Sequence, residues 1–126
     1  MVGIVIVSHS HSLAQSVLEY TKIMADGAKV AAAGGTDDGG FGTSFDKIYQ
    51  AVDSVYSEDG VLILMDMGSA VMTAEMVIEA YGSERIFMAD CPLVEGAVVA
   101  TIDALSGKSL EDTIEELKHV GKTPKF

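Results

Sequence analysis

The sequence predicts an α/β fold: an open, mainly parallel four-stranded sheet with helices on both faces and one short extra helix at the C-terminal end. Three observations carry this. Short β-branched runs alternate with longer segments of helical periodicity in the order βαβαβαβα. Two of those runs, "GIVIVS" and "GVLILMD", are apolar almost throughout, as strands covered on both faces must be. And the chain has 126 residues, 48% of them hydrophobic, which suits one domain with one sizeable core. That domain is expected over residues 1–120, with 121–126 as a flexible tail.

The elements follow in order. Residues 3–8 form the first strand. Residues 12–26 place Leu13, Val17, Leu18, Ile23 and Met24 at helical spacing, with Ser10 or Ser12 as cap and Gly27 as stop. "AKVAAA" (28–33) is a small-residue strand. "GGTDDGGFGTS" (34–44) holds five glycines and must be a loop. Residues 44–57 bring Phe45, Ile48, Val52 and Val55 onto one helical face. A buried strand (60–66), a helix (69–81) and a strand (85–90) closed by Cys91-Pro92 come next. A very apolar helix (93–107) precedes a last helix (109–120) that opens on a capping arrangement at Ser109, Glu111 and Asp112.

Charge narrows the partners. Nineteen acidic residues face eight basic ones, a net charge of -11. Such a surface repels phosphate backbones, which excludes nucleic acid and favours a basic protein partner. The lone Cys91 has no disulfide mate, which fits a reducing compartment. The N-terminal apolar run lacks a basic flank and is too short to span a bilayer. The expectation is a soluble cytoplasmic protein with no membrane partner.

In an open α/β sheet, ligands bind beyond the carboxyl ends of the strands. The residues there are Ser8 to His11, Gly34 to Ser44, Asp66 to Ser69, and Asp90 to Pro92, and none is Lys or Arg. His9 follows the first strand and precedes a helix. A neutral imidazole is a nucleophile near neutral pH, and free N–H groups at a helix start favour an anion. The bland reading is a loop histidine without a role. His11 is read as facing solvent, and His119 as suiting the dipole of the last helix. Asp66 is either a turn carboxylate or the acceptor of an imidazole N–H that fixes the tautomer. The glycine-rich loop lacks the Gly-Lys-Ser/Thr ending of a nucleotide loop, so it reads as a mobile cover offering Thr36, Thr43 and Ser44 as donors. Cys91 reads as structural. No metal-ligand spacing is present, and no cofactor is expected.

Two helices bear on assembly. Met72 and Met76 lie off the face of 69–81 that suits the sheet, and 93–107 is too apolar for a single buried stripe. Exposed patches of this kind mark interfaces, and a homodimer is expected.

"VSHS", "GGTDDGGFGTS", "MDMGSAVMTAEM" and "ADCPLVEGA", in this order, resemble the phosphotransferase subunits of bacterial dihydroxyacetone kinases, the DhaM type. More distantly the chain is similar to the mannose-type IIA domains of the sugar phosphotransferase system. The resemblance spans residues 1 to about 120. It implies a mannose-type IIA-like fold and a phosphoryl relay. A histidine takes the group from the phosphocarrier HPr and passes it to ADP held in the kinase's nucleotide-binding subunit, which phosphorylates dihydroxyacetone. By position, His9 is the phosphorylated nucleophile and Asp66 its orienting carboxylate. Ser10, Thr36, Thr43, Ser44, Gly68 and Ser69 fall on the phosphate-binding and site-lining segments. The family is dimeric. Where the mannose-type loop carries a Gly-Gly-Ser-Pro-like run, this chain has Met-Gly-Ser-Ala, which disfavours sugar transport. Some members carry fused carrier domains, so this chain is expected to use separate ones.

Three rival readings stay open from the residues. A receiver-like domain would be phosphorylated on Asp66, but it needs an acidic pair after the first strand, where Ser-His stands. A non-catalytic dimeric regulatory or binding module would leave His9 incidental. A phosphohistidine mutase or phosphatase needs an arginine beside the histidine, and the strand ends offer none.

Overall fold

The structure is a computed structural model describing residues 1–126. Four strands form one sheet: β1 (Gly3–Ser8), β2 (Val30–Gly34), β3 (Val61–Met65) and β4 (Ile86–Met88). Their order is β2-β1-β3-β4 and every pair is parallel, as the alternating sequence predicts. Five helices complete the chain: α1 (His11–Met24), α2 (Phe45–Val55), α3 (Val71–Tyr81), α4 (Leu93–Leu105) and α5 (Leu110–Val120).

The central strands explain the two apolar runs. Ile4 and Ile6 join Leu62 and Leu64 in a core under α1, α4 and α5. Val5 and Val7 join Val61 and Ile63 in a second core under α2 and α3. Both faces are covered, so neither strand needs polar alternation. β2 and β4 lie at the edges, are short, and depart most from the sequence boundaries: 30–34 rather than 28–33, and 86–88 rather than 85–90.

α1 buries a different stripe from the one its large residues suggest. Ala14, Val17 and Thr21 face inward, while Leu13, Ile23 and Met24 are exposed, Ile23 by 77%. The cause is close packing on β2. A Cβ on Gly34 would lie 2.5 Å from the Ser10 carbonyl oxygen and 2.8 Å from the Ala14 Cβ, so only small residues fit between. Thr21 tolerates burial because its hydroxyl donates to the Leu18 carbonyl at 2.7 Å. The helix ends at Ala25, whose N–H donates to the Thr21 carbonyl, two residues before Gly27.

α2 buries Ile48, Ala51, Val52 and Val55, close to the expected face. Residues 68–70 form a 3-10 turn that leads into α3. α4 packs against α1 and α5 and buries seven of its thirteen residues, Gly96, Thr101 and Asp103 among them. Val94, Ile102 and Leu105 nevertheless stay 38–42% exposed, so part of its apolar surface is left open, as the sequence suggests. On α3, Met72 is 75% and Met76 56% exposed, off the face packed on the sheet. Ser109 caps α5, its Oγ accepting from the Asp112 N–H at 3.1 Å. Beyond α5 the residues are exposed, and Lys125 pairs with Glu95 at 3.1 Å.

Candidate active site

The chain turns in opposite directions from β1, to β2 on one side and to β3 on the other, which opens a crevice between the carboxyl ends of β1 and β3. His9 follows β1 and Asp66 follows β3. Register brings them together: Val7 is opposite Met65, and the Asp66 N–H continues the ladder to the Val7 carbonyl at 3.2 Å.

Asp66 accepts four hydrogen bonds. Oδ1 accepts from the His9 ring at Nδ1 (2.9 Å) and from the Met67 N–H (2.8 Å). Oδ2 accepts from the Ser8 hydroxyl (2.7 Å) and the His9 N–H (3.1 Å). Burial pushes this carboxyl's pKa up. The bonds from Ser8 and His9 outweigh that and hold it below the usual carboxylate value. With every acceptor site facing a donor, Asp66 is an anion and the ring proton sits on Nδ1. Nε2 is then the lone-pair nitrogen, and the Ser69 hydroxyl donates to it at 2.7 Å. His9 and Asp66 keep about a fifth of their side-chain surface accessible.

The other residues that the sequence singles out sort by position. Ser10 caps α1, its Oγ accepting from the Leu13 N–H at 3.2 Å. Gly68 and Ser69 open the turn into α3, and a Cβ on Gly68 would meet only open space. The glycine-rich loop is tied to the site by its backbone: Gly42 N–H donates to the His9 carbonyl at 2.9 Å, and Gly35 N–H to the Ser8 carbonyl at 3.1 Å. Gly35 adopts a left-handed φ of 72° that suits its type. The loop's hydroxyls are used within the fold and make no hydrogen bond to His9. Thr36 pairs with Asp38, Thr43 with Thr73 at 3.0 Å, and Ser44 donates to Asp37 while capping α2. His11 opens α1 and is exposed. Burial, with Asp90 adding to it, pushes the Cys91 thiol up to about 11, which keeps it protonated and inert.

Two residues escape a linear reading of the chain. Lys47, in the first turn of α2, sends its ammonium to the Gly34 carbonyl at 3.0 Å, so a cation does reach the edge of the strand ends. It lies on the β2 side and makes no hydrogen bond to His9. Ser8, read as the last residue of a strand, holds Asp66. Strand register places Ser8 beside Asp66, and the packing of α2 on β2 brings Lys47 to Gly34. On the far side of Asp66 a cleft of about 440 Å³ opens, lined by Met67, Gly68, Met88, Asp90 and Cys91 among others.

No helix is long and apolar enough to cross a membrane. Residues 3–115 match the family model EIIA-man, described as PTS system fructose IIA component. The chain is 40% identical over 126 residues to the PEP-dependent dihydroxyacetone kinase, phosphoryl donor subunit DhaM, of Escherichia coli, covering 94% of this chain and 27% of that protein. It is 32% identical over 124 residues to the PEP-dependent dihydroxyacetone kinase 2, phosphoryl donor subunit DhaM, of Listeria innocua, covering 95% and 99% respectively. It thus spans about a quarter of the length of the first curated relatives it matches, and nearly all of the Listeria one. A crystal structure of a protein of unknown function, EF1359, shares the fold with a TM-score of 0.82 at 29% identity, covering 97% of this chain and 96% of that one.

Proposed function

Because the chain belongs to the EIIA-man family, and within it to the DhaM-type phosphotransferase subunits, we propose that it carries a phosphoryl group on His9 Nε2 as the phosphoryl donor of a PEP-dependent dihydroxyacetone kinase. The observation that carries this reading is the pairing of His9 Nδ1 with Asp66, which leaves Nε2 as the nucleophile.

The donor is phospho-HPr. The Nε2 lone pair attacks its phosphorus, the N–P bond to the donor imidazole breaks, and the electron pair returns to the donor. The Nδ1 proton stays on the ring, hydrogen-bonded to Asp66, whose negative charge offsets the cationic character the ring acquires. In the second step ADP, bound in the kinase's nucleotide subunit, attacks the same phosphorus through a β-phosphate oxygen, and the N–P electron pair returns to Nε2. Ser69 donates to the phosphoryl oxygens once Nε2 is occupied, and Gly68 leaves room beside it. Ser10, Thr36, Thr43 and Ser44 serve by holding the helix starts and the loop in place. A balanced carrier is best served by few fixed cations, and partners supply positive charge during transfer. The net charge of -11 favours a basic partner. The setting is cytoplasmic, residues 1–120 act as one domain, and the exposed Met72 and Met76 favour a homodimer, which sedimentation of the wild type against Met76→Lys tests.

A receiver-like reading fares worse, since both oxygens of Asp66 are already engaged by donors. The test is intact mass after mixing wild type, His9→Ala and His11→Ala with phosphoenolpyruvate, enzyme I and HPr. One acid-labile phosphoryl group on wild type and His11→Ala, and none on His9→Ala, is expected. No uptake by wild type favours a binding module. Equal uptake by His9→Ala removes His9 from the role.

A further inference from the structure

Ser8 is wholly buried at the end of β1, yet its hydroxyl does not do what the buried threonines of this chain do. Thr21, Thr101 and Thr113 each donate to a carbonyl three or four residues back along their own helix. That is the ordinary way to bury a hydroxyl without cost. Ser8 instead reaches across the sheet to Asp66, 58 residues away, at 2.7 Å.

Its two hydrogen-bond directions are fixed by its partners, since an ionised carboxylate can only accept. The Ser10 N–H lies 3.0 Å from Ser8 Oγ and can only donate. Ser8 therefore accepts from Ser10, and its one proton is committed to Asp66 Oδ2. The same carboxylate's Oδ1 faces His9 Nδ1. A carboxylate gripped at one oxygen by a short charge-assisted bond cannot swing about its last torsion, so the other oxygen stays on the imidazole. Ser8 also ties the strand end to the start of α1 through Ser10, so the strand, the acid and the helix share one hydroxyl.

We propose that Ser8 is a positioning residue for His9, acting through Asp66: its hydroxyl sets the carboxylate so that the imidazole keeps its proton on Nδ1 and presents Nε2 for phosphoryl transfer. The rate consequence rests on the phosphoryl-relay reading. The tautomer consequence does not, because it belongs to the free protein. Being buried, Ser8 touches no partner, so its loss acts on turnover and not on docking.

The experiment compares wild type, Ser8→Ala and Ser8→Thr in two readouts. The first is the 15N signature of the His9 ring by NMR at neutral pH, with circular dichroism confirming the fold. Wild type is expected to show the Nδ1–H tautomer, Ser8→Ala a mixture, and Ser8→Thr the wild-type pattern. The second is phosphoryl uptake from phospho-HPr. Ser8→Ala is expected to lose about tenfold in kcat with KM unchanged, the size of effect one charge-assisted hydrogen bond gives. A folded Ser8→Ala that keeps both the tautomer and the rate overturns the assignment. So does a Ser8→Thr as impaired as Ser8→Ala. If wild type takes up no phosphoryl group, the relay reading fails, and the tautomer alone decides the role of Ser8.

Discussion

His9 Nδ1 lies 2.9 Å from Asp66 Oδ1, although 57 residues separate the two in the chain. The parallel pairing of β1 with β3 makes this contact, and the chemistry proposed for the protein hangs on it.

Asp66→Asn keeps the size of the side chain and removes its charge. The amide can donate to Nδ1, which moves the ring proton to Nε2 and blocks the nucleophile. Phosphoryl uptake is expected to fall about a thousandfold or more in stopped-flow quench, with the fold intact. The same carboxyl contributes to stability. Its folded pKa lies below the unfolded one, so the contribution is present above the unfolded value and is lost as pH falls through the folded value. Acid unfolding of Asp66→Asn should lack that component.

Ser69→Ala removes the hydroxyl that meets Nε2 at 2.7 Å. Uptake is expected to slow about tenfold, and thermal stability to change little because the residue is exposed. A wild-type rate in a single-turnover assay would place Ser69 outside the transfer step.

Gly34→Ala tests how the site is held from behind. The new Cβ would sit 2.5 Å from the Ser10 carbonyl and 2.8 Å from Ala14, backbone and helix that cannot yield without moving α1. A loss of about 1–3 kcal/mol in urea unfolding is expected, with slower phosphoryl uptake because Ser10 and His9 shift together.

Asp103 predicts a pH dependence away from the site. Burial, then a hydrogen bond to Glu116 that exists only when a proton lies between them, pushes Asp103 up to about 6, against a pull the other way from Lys108. With both acids ionised, Asp103 Oδ2 is buried without a partner. The folded state therefore holds a proton that the unfolded state releases near pH 4. Stability should decline as pH rises from about 4 to about 6. Asp103→Asn supplies a neutral donor to Glu116 and should melt several degrees higher at pH 7.5, with little difference at pH 4.5, by calorimetry.

The sequence by itself determined the architecture. Two strands apolar on both faces, "GIVIVS" and "GVLILMD", demand cover on each side, and helical segments between them leave little choice but a parallel sheet. It also placed His9 and Asp66 at strand ends, because strand ends are where such a sheet meets solvent. Tertiary structure alone decided that α1 turns Ala14 and not Ile23 or Met24 to the sheet, since β2 lies so close that a Cβ on Gly34 would come within 2.8 Å of the Ala14 Cβ. It decided that the hydroxyls of Thr36 and Ser44 turn to Asp38 and Asp37 within the loop and that of Thr43 to Thr73 of α3, because polar groups near the surface pair with whatever partner the fold brings beside them. And it decided that Ser8 grips Asp66, because strand register is a property of two distant segments at once, and no local pattern records which residue will stand opposite which.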